Sequence, residues 1–150
     1  LNIHRTVDTS GLVKTETLLD VANRTDLFLY DLKLMDSEKH KEWTGVGNKR
    51  IIKNLKALAD SGADIQVRIP LINGVNTDKQ NIEDSAAFIA SLSGSQKNIA
   101  LLPYHDVAGG KAAKLGQSHN PGNISAPHED DLERIILQFA EHGLTASVGG

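Results

Sequence analysis

Leu27-Phe28-Leu29-Tyr30-Asp31-Leu32, then Lys49-Arg50-Ile51-Ile52-Lys53-Asn54-Leu55-Lys56-Ala57-Leu58-Ala59-Asp60, then Ile65-Gln66-Val67-Arg68-Ile69-Pro70-Leu71, are the three runs that decide the fold. The outer two are short and apolar, as strands are. In the middle run Ile51, Ile52, Leu55, Leu58 and Ala59 recur at helical spacing, and Gly62 stands just past its end as a stop. Strand, helix and strand in this order predict a parallel pair joined by a helical crossover.

The rhythm continues in both directions. Further strands are expected at residues 2–7, 99–102 and 144–148. Further helices are expected at 78–92, with Ile82, Ala86, Phe88, Ile89 and Leu92 as the apolar stripe, and at 129–142, with Leu132, Ile135, Ile136, Phe139 and Ala140 inward. A short helix over 36–41 is capped by Asp36 or Ser37 and ended by Gly45, whereas the polar stretch 108–126 reads as a loop with at most one turn at 111–115. The class is therefore α/β, with a parallel sheet whose apolar strands suit cover on both faces.

A chain of 150 residues that is 39% hydrophobic supports one core, so residues 1–150 are read as a single domain. Its 16 Lys and Arg against 19 Asp and Glu give a net charge of −3, which argues against nucleic acid or an anionic membrane as partner. No apolar run approaches a membrane span and no signal-peptide core is present, so the expected compartment is the cytoplasm. The lack of cysteine removes disulfides, thiolate metal sites, iron–sulfur ligation and cysteine nucleophiles together. The chain opens at Leu1 directly on an alternating stretch, without an initiator methionine, and reads as a fragment.

In parallel β/α sheets ligands sit beyond the carboxyl ends of the strands. There the chain offers Asp8-Thr9-Ser10-Gly11, Asp31-Leu32-Lys33, Arg68 within Val67-Arg68-Ile69-Pro70, and Pro103-Tyr104-His105-Asp106. Each has a plain structural reading. Asp8, Thr9 or Ser10 would cap the next helix, Asp31 and Lys33 would pair with each other, and His105 would be an ordinary loop or core histidine. Arg68 is different, because a guanidinium on an apolar strand is costly without an anion. Convergence at equivalent strand ends favours one polar pocket suited to a zwitterion: Lys33 and Arg68 for a carboxylate, Asp8 and Asp31 for an ammonium group or a cation. The six histidines show no zinc spacing, and Gly45-Val46-Gly47 and Gly109-Gly110 lack a dinucleotide or P-loop pattern and are read as turns.

Four blocks, in order along nearly the whole chain, carry a family resemblance. They are His4 to Gly11; Leu27 to Asp36 with His40 and Thr44-Gly45-Val46-Gly47-Asn48; Arg68-Ile69-Pro70-Leu71-Ile72 through Gly74 to Asn76; and Leu101-Leu102-Pro103-Tyr104-His105 before Gly110, Lys111 and Leu115-Gly116. Together they resemble the glycyl-radical-enzyme activating enzymes, the pyruvate formate-lyase-activating family of the radical S-adenosylmethionine superfamily. The resemblance implies the C-terminal part of a partial (β/α)6 TIM-like barrel, from about the third strand to the last plus a C-terminal helix. The three-cysteine motif and the glycine-rich motif of the first strands are absent. It implies an oxidoreductase using S-adenosylmethionine and a [4Fe–4S] cluster, whose ligands this chain lacks, to make a 5′-deoxyadenosyl radical that abstracts hydrogen from a glycine of pyruvate formate-lyase or a relative. The 150 residues alone are then expected to be inactive. By the same resemblance Asp31 and Lys33 lie around the methionine moiety. Asp8, Thr9 and Asp31, with the Leu29 backbone oxygen, would ligate a monovalent cation, and Arg68 and His105 would line the cleft. Two other readings stay open: a Schiff-base aldolase using Lys33, and a non-catalytic cofactor- or partner-binding module.

Overall fold

The computed structural model describes residues 3–94, 98–105 and 124–149, so most of the expected 108–126 loop lies outside the described residues. Strands and helices alternate: β1 (Thr6–Thr9), α1 (Thr15–Ala22), β2 (Leu27–Asp31), α2 (Ser37–Thr44), α3 (Lys49–Asp60), β3 (Ile65–Leu71), α4 (Lys79–Ala90), β4 (Asn98–Pro103), α5 (Glu129–Glu141) and β5 (Thr145–Val148). The strands form one sheet in the order β1-β2-β3-β4-β5, and every neighbouring pair is parallel. This is the expected α/β architecture.

Local chemistry explains the boundaries. Asp36 accepts hydrogen bonds from the Glu38 and Lys39 amides at 2.9 and 2.8 Å to start α2, and Gly45 ends it in the left-handed region at φ 83°. Asp78 caps α4 by accepting from the Asn81 amide at 3.0 Å. Helix α1 begins after Lys14 with no side-chain cap, so Asp8, Thr9 and Ser10 are not helix caps. The first strand also starts later than residues 2–7 suggest, because the Arg5 amide donates to the Asp26 carboxylate at 2.8 Å, and regular pairing with β2 begins at Thr6. That shift brings Asp8 into the strand.

Strand order decides which face is covered. Each strand lies beside its predecessor, and right-handed crossovers without a reversal of order put successive helices on one side. Accordingly Phe28, Tyr30, Val67, Ile69, Leu71, Ile99 and Leu101 pack with Leu18, Leu55, Leu58, Ile82, Ile89, Ile135 and Phe139 in the core. The alternate residues Leu29, Asp31, Gln66, Arg68 and Pro70 are only half-buried. The expectation of a sheet covered on both faces is therefore corrected. Among the described residues the core helices α1, α3, α4 and α5 cover one face, and the other is left open.

One glycine is required by packing. A Cβ at Gly11 would lie 1.7 Å from the Tyr30 hydroxyl oxygen, so only glycine lets the β1–α1 loop cross Tyr30, which donates to the Ile51 carbonyl at 2.7 Å.

Candidate functional site

The register of the first three strands assembles the site. Asp31 and Arg68 are direct partners on β2 and β3, and Asp8 on β1 is opposite Leu29, two residues before Asp31 on the same face. Arg68 donates through Nε to Asp31 Oδ1 at 2.9 Å, while its Nη2 lies 2.8 Å from the same oxygen and also donates to Asp8 Oδ1, spanning two strands. Lys33 Nζ lies 3.5 Å from Asp31 Oδ2. The result is a chain of alternating charge, Lys33, Asp31, Arg68 and Asp8, with no net charge.

Depth varies along it. The Arg68 and Asp31 side chains are 17% and 21% exposed, Lys33 36% and Asp8 62%. Burial opposes the charge on Arg68, but the hydrogen bonds it donates to Asp31 and Asp8 outweigh it and raise the guanidinium above its ordinary value. Capacity remains for a ligand. Arg68 Nη1 makes no hydrogen bond among the described residues, and Lys33 Nζ has a single carboxylate partner. Two donors for a carboxylate beside acceptors for an ammonium group suit a zwitterionic, amino-acid-like ligand.

Of the residues singled out from sequence, Asp8, Asp31, Lys33 and Arg68 come together. The other two stand apart. Thr9 faces the opposite side of β1 from Asp8, and its hydroxyl accepts from the Gly11 amide at 2.9 Å. His105 lies two residues beyond β4 and is exposed, with no hydrogen bond among the described residues to the charged four. Asp8 and Asp31 are bridged by one guanidinium, while Thr9 lies on the other face of β1. Leu29 lies mid-strand between Asp8 and Gln66. No group of three His, Cys, Asp or Glu side chains that could hold a metal ion occurs among the described residues, and without cysteine the chain does not fit an iron–sulfur cluster.

Sequence reasoning passed over the buried asparagines around this site. The Asn48 amide donates to the Leu34 and Met35 carbonyls at 2.8 and 2.7 Å, and Asn81 Oδ1 accepts from the Met35 amide at 2.9 Å. The Asn54 amide donates to the Gly11 and Val13 carbonyls at 2.7 and 2.8 Å. Their signal was a polar residue on an apolar helix face, as Asn54 is on α3. His40, within the block that carries the resemblance, has a structural role: its Nδ1 is 2.7 Å from the Val46 carbonyl oxygen and 2.9 Å from the Thr44 hydroxyl. A groove of about 720 Å³ opens at the opposite end of the sheet between α1 and the α3–β3 turn, lined by Asp20, Asp26 and Asp64 among others. It lies at the amino ends of the strands, where β/α sheets do not place their chemistry.

No protein-family model matches the chain. It is 39% identical over 150 residues to the trans-4-hydroxy-L-proline dehydratase activating enzyme of Clostridioides difficile, a match covering 99% of this chain and 49% of that protein. The chain spans about half the length of the curated relatives it matches. Among solved structures, a domain of pyruvate-formate lyase-activating enzyme from Bacteroides vulgatus aligns with a TM-score of 0.83 and 38% identity, over 99% of this chain and 82% of that one. Streptococcus suis SuiB bound to S-adenosylmethionine shares the fold alone, at 17% identity and a TM-score of 0.67 over 99% of this chain and 33% of that one. A common fold, a match over most of a solved activating-enzyme domain and a curated relative of the same kind agree: the chain belongs to the glycyl-radical-enzyme activating enzymes.

Proposed function

We propose that this chain is the S-adenosylmethionine-binding part of a radical-generating activating enzyme whose partner is a glycyl-radical enzyme, pyruvate formate-lyase or a relative. The observation that carries the reading is the charge-balanced quartet that Arg68 of β3 gathers with Asp31, Lys33 and Asp8, its guanidinium and Asp31 the least exposed members. Lys33 and the free Nη1 of Arg68 take the carboxylate of the methionine moiety, and Asp31 accepts from its ammonium group. Asp8 holds Arg68 across β2 and keeps the guanidinium aimed along the sheet. His105, exposed two residues beyond β4, lines the rim of the cleft.

A [4Fe–4S] cluster, where the whole enzyme holds one, would supply the electron that cleaves S-adenosylmethionine. With no thiolate here, the cluster belongs to a part of the enzyme other than these residues. The setting we propose is cytoplasmic; no helix among the described residues is long and apolar enough to cross a membrane. The aldolase reading needs a neutral amine in an apolar pocket, and Lys33 instead faces a carboxylate.

The decisive experiment is calorimetric titration of S-adenosylmethionine into the protein as its gene encodes it, and into the Asp31→Ala and Lys33→Ala variants. Weaker binding in both variants is expected. Binding unchanged in both removes the quartet from the site.

A further inference from the structure

The end of the β2–β3 ladder shows how Lys33 is held. The Leu32 amide donates to the Arg68 carbonyl at 2.9 Å. In a parallel ladder the next bond would come from the amide two residues further on β3. That residue is Pro70, which has no N–H to give. Pairing therefore stops there, with the chain about to turn away from β2 at Lys33, the residue whose ammonium faces Asp31.

A side chain takes over from the ladder. Asn76 is 2% exposed, and its amide nitrogen donates to the Lys33 carbonyl at 3.0 Å and to the Pro70 carbonyl at 2.6 Å. Its Oδ1 accepts from the Ile72 amide at 2.8 Å. Both amide protons and the carbonyl of this side chain are thus used, and they tie the exit of β2 to the exit of β3. The bracket is itself held in place, because the Asn81 amide donates to the Asn76 backbone carbonyl at 2.9 Å while Asn81 Oδ1 takes the Met35 amide. The backbone on either side of the Lys33–Asp31–Arg68 chain is therefore clamped by one buried carboxamide.

We infer that Asn76 is a positioning residue for the amino-acid end of the ligand: it sets the height of Lys33 relative to Arg68 so that both cations reach one carboxylate. The inference rests on the reading of Lys33 as a carboxylate ligand. It separates from a purely structural role because a loosened Lys33 harms only ligands that carry the carboxylate. A residue that merely supports the fold would affect every ligand alike.

The test uses two probes on the protein as encoded: S-adenosylmethionine, and 5′-methylthioadenosine, which has the nucleoside and sulfur but no amino-acid end. Asn76→Ala is expected to weaken S-adenosylmethionine binding about tenfold, the usual scale for losing buried hydrogen bonds, and to leave 5′-methylthioadenosine within about twofold. In a Lys33→Ala background Asn76→Ala is expected to cost less than about twofold, since the group it positions is gone. Equal losses for the two probes, no loss for either, or full additivity with Lys33→Ala would overturn the inference. Should Asn76→Ala fail to fold, Asn76→Ser, which retains a donor, carries the same comparison. Failure of both to fold also overturns it, by making Asn76 a residue of the fold. If the unaltered protein does not bind S-adenosylmethionine, the functional reading falls instead, and the two failures are distinct.

Discussion

The two faces of this sheet are built from alternate residues of the same strands, yet they do opposite work. On β3, Val67, Ile69 and Leu71 are at most 1% exposed beneath the helices, while Gln66, Arg68 and Pro70 between them lie on the open face. The covered face gains free energy from apolar burial and close packing. The open face gains little: Asp31 and Arg68 roughly offset their own desolvation by pairing, which is the usual outcome for half-buried ion pairs. Such a face costs little stability. Stability and chemistry are thus separated by the two-residue period of the strand.

The contrast can be broken most forcefully in the core. Ile69→Ala is expected to cost about 2–5 kcal/mol, whereas Gln66→Ala, on the open face of the same strand, should stay within about 0.5 kcal/mol. Chemical denaturation of the two variants decides it, and similar costs would mean that the open face is also a core. The next effect sharpens the other side: Asp31→Ala and Lys33→Ala should each weaken S-adenosylmethionine binding by about 1–3 kcal/mol. Their unfolding midpoints should move less than that of Ile69→Ala. A loss of stability larger than the loss of affinity would assign the quartet to the fold.

The smallest expected effect lies at the other end of the strands, where Arg5 Nε meets Asp26 at 3.0 Å on the exposed rim. The Arg5 side chain and amide both donate to Asp26, lowering its carboxyl from 3.8 to about 2. A carboxyl depressed by folding adds stability above its unfolded value that disappears as pH falls through its folded value. The difference in stability between the unaltered chain and Asp26→Asn should therefore be constant above about pH 4 and fade toward pH 2. A difference that persists undiminished at pH 2 would show that the pair acts through packing.

Much of this was legible before any coordinates. Ile51, Leu55 and Leu58 announced α3, Asp36 and Gly45 marked the ends of α2, and Arg68 stood out as a charge on an apolar strand. Asp8 was legible as polar but ambiguous, because its partner lies two strands and sixty residues away. Thr9 looked like its companion in sequence, but neighbouring residues on a strand face opposite sides. Asn76 was visible within a block that carries the family resemblance, but its task was invisible: the two carbonyls it joins belong to segments that separate only after the ladder fails at Pro70.

Local pattern and residue chemistry therefore determined the α/β class, most helix ends and the charged residues of the site, because periodicity, capping and the cost of a charge on an apolar strand act over a few neighbouring residues. Tertiary structure alone decided which sheet face stays open, which carboxylates share Arg68 and what holds Lys33. Those depend on strand order and register, and register is set by packing between segments far apart in the chain.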